Sequence, residues 1–461
     1  MTCLPWLAAG ALAGVLSLVP GVASADLASD TSPATTFGTS PDPPSDMPSG
    51  VLPGTATLAG FGTVLSLGPY PVVIGHRGAC AYRPEHTLLS YRTAIEMGAD
   101  FIEPDLVSTK DHVLVARHEN EISRTTDVAR HPEFAARRTT KVIDGRNLTG
   151  WFTEDFTLAE LRTLRAVERL PRLRPDSAAF DGLAPIATFD EIVALAKRAG
   201  VGVYPETKHS GYFTSIGLPL EEPLLATLGR YGWREKSDPV FIQSFETANL
   251  RALRGRTRLR LVQLLESSGA PRDLVAAGDP RTYRDLATPA GLAQIASYAD
   301  AIGVPTRLVL PARRDGELRD PTTLVEDAHR QGLAIHVWTV RPENAYLPAR
   351  FRQGDPAAPG YAAAHGDVTG WLRMLYGLGV DGVFTDDPGI ARRTRDALTS
   401  GVGGPESGRD AAAEELSGLP GAPAEELSDL PGAPAEEPSW LSGAPADQTS
   451  ASVSIGRSSS A

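Results

Sequence analysis

Cysteine is nearly absent from this sequence, which has two among its 461 residues. Cys3 lies in an apolar N-terminal run, so a chain that has lost that run carries Cys80 alone. A single thiol cannot form an intramolecular disulfide and cannot build a cysteine-rich zinc site, so both are excluded as sources of stability. The core of a chain of this length, with 42% hydrophobic residues, must supply the stability instead.

The sequence also has no excess of basic residues. The formal net charge is −12, and residues 399–461 hold ten acidic and two basic residues, a net of −8. The rest of the chain is therefore nearly balanced, at about −4. Binding to nucleic acid depends on a field of positive charge that this chain lacks, so we expect no nucleic-acid partner.

No apolar run is long enough to predict a transmembrane helix. The run from Leu4 to Val19 is short and rich in alanine and glycine, and Ala23-Ser24-Ala25 fits a signal-peptidase site before Asp26. We therefore expect residues 1–25 to be a signal peptide. Its removal predicts a secreted protein, on the extracellular or periplasmic side of the membrane, without a stable membrane anchor.

Low-complexity segments flank a globular zone. Residues 26–65 are rich in Ser, Thr, Pro, Gly and Asp and predict a disordered linker. Residues 399–461 repeat AEELSGLPGAP with a period of eleven, and the Pro and Gly in each unit break any helix. They predict a disordered acidic tail. The globular domain therefore spans residues 66–398, and nothing in the sequence indicates its oligomeric state.

Short apolar strands alternate with helices in the globular zone. Fully apolar strands are typical of parallel sheets covered on both faces. Thr188 and Glu191 form a capping box before IVALAKRAG, and Thr157 and Glu160 form another before LRTLRAVERL. The candidate strands are 72–75, 100–106, 113–118, 201–206, 240–244, 259–264, 301–304, 334–340 and 382–385.

Repeated β–α units predict an α/β protein with a TIM (β/α)8 barrel. Nine candidate strands are one too many for eight staves. The sequence from Thr109 to His112 indicates a tight turn, so two early strands are expected to form a hairpin. Residues 119–185 have no β–α rhythm and are predicted to be an insertion. Strand alternation alone does not close a sheet, so a doubly wound sheet is the alternative.

Polar residues follow the predicted strands, where the chemistry of a barrel is found. Glu103 and Asp105 point to one side of their strand, as do Glu206 and Lys208, because successive side chains alternate. The other candidates at strand ends are His76, Arg77, His118, Gln243 and Trp338, and Glu85 follows the first strand.

These residue types together indicate metal-assisted cleavage of a phosphate ester. Glu103, Asp105 and Glu206 suit a hard divalent cation, Ca²⁺ in the first place and Mg²⁺ as the alternative. Arg77 and Lys208 can hold a phosphate, and His76 and His118 can exchange protons as base and acid. Glu85 either orients Arg77 or begins a helix, and we assign Gln243 and Trp338 supporting places in the pocket.

Over most of residues 70–395 the sequence resembles the glycerophosphodiester phosphodiesterase family, of the secreted or periplasmic type. The motifs that carry the resemblance are His76-Arg77-Gly78, Pro84-Glu85-His86-Thr87, Glu103-Pro-Asp105, His118-Glu119, Glu206-Thr-Lys208, Gln243-Ser-Phe245 and Val337–Val340. The resemblance implies a TIM barrel that hydrolyses glycerophosphodiesters to glycerol 3-phosphate and an alcohol. It implies the same roles for the two histidines, the three carboxylates, Arg77 and Lys208.

The chain departs from the family pattern at three positions, where His86 replaces Asn, Glu119 replaces Asp and His112 replaces a turn Gly. We expect the first to change the hydrogen bonds that position the loop after the first strand, the second to loosen His118, and the third to alter only the turn. Two other functions remain as alternatives: a sphingomyelinase D- or phospholipase D-like lipid phosphodiesterase, and a barrel that binds without turnover.

Overall fold

The computed structural model describes residues 71–399, so the predicted signal peptide, the linker and residues 400–461 of the acidic tail lie outside the described residues. The strands in that range are, in chain order, β1 (Val72–His76), β2 (Phe101–Glu103), β3 (Asp105–Ser108), β4 (Leu114–Ala116), β5 (Thr139–Ile143), β6 (Arg146–Gly150), β7 (Gly202–Val203), β8 (Glu206–Thr207), β9 (Phe241–Ser244), β10 (Arg260–Leu264), β11 (Ala301–Pro305), β12 (Ala334–Val340) and β13 (Gly382–Thr385).

Helices lie between most of these strands. The α-helices are α1 (Leu88–Glu96), α2 (Leu158–Leu161), α3 (Pro175–Ala178), α4 (Phe189–Ala199), α5 (Ser210–Ser215), α6 (Glu221–Arg230), α7 (Thr247–Arg254), α8 (Arg272–Ala276), α9 (Tyr283–Leu286), α10 (Pro289–Ala296), α11 (Thr306–Val309), α12 (Leu324–Arg330), α13 (Val368–Gly377) and α14 (Pro388–Thr399). Short 3-10 helices span Val128–Arg130, Pro132–Arg137, Thr153–Asp155 and Ala349–Phe351. In this part of the chain no helix is long and apolar enough to cross a bilayer.

Eleven of the strands form one sheet. Ten of them make up eight parallel staves that close into a ring, because β2 with β3 and β7 with β8 each form a single stave. Prolines interrupt two staves, because a proline has no N–H to donate: Pro104 separates β2 from β3, and Pro205 lies between β7 and β8. Strand β1 pairs with both β2 and β13, β2 pairs with β7, β3 with β8, and β8 with β9. Parallel pairs from β9 to β13 complete the ring.

The closed ring confirms the predicted barrel, because a doubly wound sheet would end in two open edges. The ninth candidate strand is β4, which pairs antiparallel with β3 and forms the expected hairpin instead of a stave. The antiparallel hairpin β5–β6 lies within residues 119–185, together with α2, α3 and three of the 3-10 helices.

Both predicted capping boxes form, but they begin helices of different length. Helix α4 starts at the box of Thr188 and Glu191 and ends at Gly200, whose φ of 72° suits a residue without a side chain. Helix α2 starts at the box of Thr157 and Glu160 but ends after one turn. Residues 162–164 then form a turn, and Arg165 and Ala166 make β-bridges with Pro185 and Thr126. The sequence LRTLRAVERL therefore forms a much shorter helix than its pattern indicates.

The lumen of the barrel is layered, with apolar side chains below and polar ones at the carboxyl ends of the strands. Because side chains i and i+2 share one face of a strand, each polar residue lies two positions after an apolar one. Aromatic rings form the floor: Phe241 lies 4.9 Å from Tyr204 and 5.3 Å from Phe101, centroid to centroid. The pairs are Ile74 and His76, Phe101 and Glu103, Tyr204 and Glu206, Phe241 and Gln243, and Phe384 and Asp386.

We predict that Phe241→Ala lowers the free energy of unfolding of the full chain by about 3–5 kcal/mol, because it leaves a cavity in the floor. Chemical denaturation measures the change. The control is Leu183→Ala, whose side chain is exposed and should lose little. Equal losses in the two variants would contradict a floor packed as described.

Candidate active site

A cavity of about 240 Å³ opens at the carboxyl ends of the staves. All seven residues predicted to act in catalysis, phosphate binding or metal binding line it, as do Gln243 and Trp338; the seven are His76, Arg77, Glu103, Asp105, His118, Glu206 and Lys208. Glu85 does not line the cavity and lies behind Arg77. Residues from five staves and one hairpin strand thus converge on one space.

The turn after β1 is shaped by backbone that few residues adopt. Arg77 has a φ of 56° and Gly78 a φ of 96°, both in the left-handed region. A side chain at Gly78 would collide with Ser90 of α1, so glycine is required there. The turn brings the backbone N–H of Arg77 to 2.8 Å from Glu103 Oε2.

Three buried carboxylates form a cluster in the cavity. One oxygen from each of Glu103, Asp105 and Glu206 lies within 4.8 Å of the other two, as the ligands of one cation would. Burial and the charges of Asp105 and Glu206 raise the pKa of Glu103 well above its usual range. Burial also raises the pKa of Glu206 to about 8, against the opposing effect of Lys208. The cluster thus lacks positive charge, which a divalent cation would supply.

Two cations border the carboxylates. Lys208 Nζ lies 2.9 Å from Glu206 Oε1 and 3.9 Å from Asp105 Oδ1. Burial would raise the pKa of Asp105, but Lys208 and His118 hold it well below its usual range. Arg77 donates from Nη1 to Glu85 Oε2 at 3.2 Å, and its buried Nε lies 3.5 Å from Asp105 Oδ2, an ion-pair contact without a hydrogen bond among the described residues. A ligand anion would compete with Asp105 for this donor.

Each of the two histidines is held by a carboxylate at Nδ1. His76 Nδ1 lies 2.7 Å from Asp386 Oδ1, and His118 Nδ1 lies 2.5 Å from Glu119 Oε1. An ionised carboxylate only accepts, so Nδ1 carries the proton and Nε2 keeps its lone pair. Burial, with the charge of Arg77, lowers the pKa of His76 to about 4 and that of His118 to about 3. Both rings are therefore neutral bases at pH 7 in the free protein.

The supporting residues have defined contacts. Glu85 orients Arg77, and α1 begins instead at Leu88 with Thr87 as its N-cap, which resolves the two alternatives for Glu85. Gln243 Nε2 donates to Glu103 Oε1 at 3.0 Å. Trp338 packs edge-on against Phe245 in the wall of the cavity, at 6.0 Å between ring centroids.

The three departures from the family pattern are accommodated. His86 is fully buried and donates from Nε2 to Asp105 Oδ2 at 2.9 Å, while its backbone N–H donates to Arg77 O at 3.0 Å. The loop after β1 therefore remains anchored. Glu119 does not loosen His118, because Arg169 donates a hydrogen bond to each oxygen of the Glu119 carboxylate. His112 does more than shape a turn, since its Nε2 donates to Pro219 O at 2.7 Å.

Sequence reasoning did not identify several residues of the site. Asp386 follows β13, and Arg341, which follows β12, lines the cavity with its Nε 3.4 Å from Asp386 Oδ2. Arg169 and Arg174 lie in the predicted insertion, where no periodicity marks them. Only the fold brings these arginines to the carboxylates they contact.

The sequence matches the model of the glycerophosphoryl diester phosphodiesterase family over residues 76–390. This chain belongs to that family. A glycerophosphodiester phosphodiesterase of Arabidopsis thaliana is 36% identical over 333 residues, which are 69% of this chain and 84% of the relative. A glycerophosphodiester phosphodiesterase of Haemophilus influenzae is 28% identical over 367 residues, 74% of this chain and 93% of the relative.

Solved structures of the family are more distant in sequence. A phosphodiesterase from Oleispira antarctica, solved in complex with the product sn-glycerol-3-phosphate, is 18% identical, with a TM-score of 0.46. The likeness covers 71% of this chain and 97% of that structure.

We predict that the purified full chain, freed of metal, binds one divalent cation and releases protons as it does so. The cation competes with the proton that Glu206 holds below its pKa of about 8, and the raised pKa of Glu103 acts in the same direction, so affinity rises from pH 6 to pH 8. Calorimetry with Ca²⁺ in buffers of different ionisation enthalpy measures both effects.

Asp105→Asn should weaken this binding at least about tenfold, because it removes a charged ligand. Glu266→Gln is the matched control, since Glu266 lines the same cavity outside the carboxylate cluster. Unchanged affinity in Asp105→Asn would show that the cation binds elsewhere.

Proposed function

We propose that this protein is a metal-dependent hydrolase that cleaves glycerophosphodiesters into sn-glycerol 3-phosphate and an alcohol. The observation that carries the proposal is the meeting, in one cavity, of two histidines with free Nε2 atoms, two cations and three clustered carboxylates. Membership of the family supports the same reaction. The curated relatives reported above carry the name of this activity.

The residues of the cavity have different roles in the proposed reaction. Arg77 and Lys208, which both line the cavity, bind the phosphate of the substrate. One imidazole accepts the proton of the glycerol hydroxyl next to the phosphate as its oxygen attacks phosphorus, and the other, protonated next to the anionic substrate, donates a proton to the departing alkoxide. Water then opens the resulting cyclic phosphate to give glycerol 3-phosphate. A divalent cation held by Glu103, Asp105 and Glu206 would stabilise the negative charge that grows on the phosphoryl oxygens.

The cation we propose is Ca²⁺, with Mg²⁺ as the second choice. The three ligands are carboxylates, the donors that both ions prefer. Ca²⁺ tolerates irregular coordination better than Mg²⁺, and a secreted protein encounters it at high concentration. The alcohol that leaves is not specified by the motifs, so the assay must compare head groups.

The test is release of glycerol 3-phosphate by the full chain from glycerophosphocholine, glycerophosphoethanolamine and glycerophosphoinositol. We expect release with Ca²⁺, none with excess chelator, and a loss of about 10²- to 10⁴-fold in His76→Ala and in His118→Ala. His131→Ala is the matched control, because that ring contacts Asp127 and Glu133 and does not line the cavity.

A folded, metal-loaded protein that releases nothing from any of these substrates would contradict the proposal. Sphingomyelin and lysophosphatidylcholine are therefore assayed in parallel. Turnover of these lipids alone would favour the lipid phosphodiesterase alternative, and binding of glycerophosphodiesters without turnover would favour a binding barrel.

We further propose that the protein is secreted, on the strength of the apolar run from Leu4 to Val19 and of Ala23-Ser24-Ala25 before Asp26. The full chain expressed in a secreting host should appear outside the cell with Asp26 as its first residue, determined by N-terminal sequencing. Ala25→Arg should block this cleavage. Protein that stays inside the cell and still begins at Met1 would contradict secretion.

A further inference from the structure

Two buried arginines of the predicted insertion reach the catalytic end of the barrel from one short turn. Arg169 and Arg174 are five residues apart, and each has a side chain only 5% exposed. The turn is closed by the backbone N–H groups of Leu173 and Arg174, which both donate to Leu170 O at 2.9 Å. Glu168 braces it by accepting from the N–H of Leu170 at 2.8 Å.

Arg169 lies behind His118. It donates to both oxygens of Glu119, from Nη1 at 3.0 Å and from Nη2 at 2.7 Å. The same guanidinium donates to both oxygens of Glu85, from Nε at 2.8 Å and from Nη2 at 2.6 Å. Glu119 in turn accepts from His118, and Glu85 accepts from Arg77. One guanidinium therefore fixes the carboxylate partners of two cavity residues.

Arg174 lies behind His76 in a similar way. Its Nη2 donates to Asp386 Oδ2 at 2.5 Å, while Asp386 Oδ1 accepts from His76. The rest of the guanidinium is held in place, since Nε donates to Glu343 Oε1 at 2.6 Å and Nη1 donates to Cys80 O at 2.8 Å. Each histidine thus ends a chain that runs from arginine to carboxylate to imidazole.

The arginine end of each chain has a defined physical task. A buried carboxylate without a cation takes up a proton, because burial disfavours its charge. A protonated carboxyl can donate to Nδ1, which would transfer the proton of the ring to Nε2 and remove the lone pair from the cavity. The guanidinium prevents this by keeping the carboxylate ionised and in one orientation, through two hydrogen bonds from Arg169 to Glu119 and one from Arg174 to Asp386.

We propose that Arg169 and Arg174 are positioning residues for catalysis, which hold the Nδ1–H tautomers of His118 and His76 respectively through Glu119 and Asp386. This inference rests on the proposed function for its effect on turnover, but the tautomers themselves are measurable without any substrate. The insertion thereby supports both histidines from a single turn, and movement of that turn would affect both.

The first measurement is the tautomer of each ring in the full-length protein, from two-bond ¹H–¹⁵N correlation spectra with ¹⁵N-labelled histidine. His76→Gln and His118→Gln assign the signals. We expect Nδ1–H patterns for both rings in the unmodified chain. Arg174→Gln should change the pattern of His76 and leave that of His118, and Arg169→Gln should do the reverse. If the arginines only stabilised the fold, each variant would change the tautomers of both rings or of neither ring.

The second measurement is turnover of glycerophosphocholine. Arg174→Gln should lower kcat about 10- to 100-fold with KM within threefold of the original, because His76 is misplaced while the phosphate ligands stay. Arg169→Gln should lower kcat by a similar factor and also raise KM, because Arg169 holds Glu85, the partner of Arg77. Lysine variants at the same positions keep the positive charge but lose the planar guanidinium with its several donors. They should therefore recover part of the kcat that the glutamine variants lose. Arg172→Gln is the matched control, since Arg172 lies on the same turn and is exposed.

The outcomes separate the two proposals. Selective tautomer changes without any turnover in the unmodified chain would support the positioning role and overturn the proposed reaction. Unchanged tautomers and kcat in folded Arg169→Gln and Arg174→Gln, or an Nε2–H pattern in the unmodified chain, would overturn the positioning role. If the glutamine variants do not fold, the lysine variants test the positioning role instead. Full kcat and unchanged spectra in the lysine variants would overturn that role, and a selective tautomer change at one ring would support it.

Discussion

The crowding of three carboxylates at the mouth of a closed barrel is the constraint on which the rest of the site depends. Glu103, Asp105 and Glu206 are all buried and lie close enough to share one cation. Such a cluster cannot be fully charged without compensation, because burial and mutual repulsion both favour protonation. The fold compensates only in part, with Lys208 against Asp105 and Glu206 and the backbone N–H of Arg77 against Glu103. The remaining deficit of positive charge is one that a divalent ion would compensate.

The barrel is the reason why these charges meet. Closure of the ring between β1 and β13 and between β8 and β9 turns the strand ends into one mouth. An open sheet would spread the same side chains along an edge. Beneath the mouth, the aromatic floor of Phe101, Tyr204 and Phe241 excludes water from the lumen, so the ion pairs above it act at low dielectric. Each aromatic residue of the floor lies two positions before a polar residue on the same strand. The packing of the floor therefore also sets the orientation of the polar side chains at the mouth.

Much of this arrangement could be predicted from the sequence, because it depends on local rules. The alternation of strand side chains places Glu103 with Asp105 and Glu206 with Lys208, and the turn from Thr109 to His112 predicts the hairpin. The contacts of the insertion could not be predicted in this way. Arg169 meets Glu119 from 50 residues away, and Arg174 meets Asp386 from 212 residues away. Neither arginine lies in a periodic segment, so only the closed fold relates them to the histidines.

The distribution of charge also limits which ligands can enter. Lys208 is paired with Glu206, and Arg169 and Arg174 are engaged by buried carboxylates. Arg77 keeps one donor without a hydrogen bond among the described residues, its Nε, which lies 3.5 Å from Asp105 of the carboxylate cluster. An anion alone would gain little there, because the nearby carboxylates repel it. A cation in the cluster reverses that repulsion at short range. Under the proposed function, a cation held by the three carboxylates would let the cavity bind the phosphate of the substrate next to Arg77.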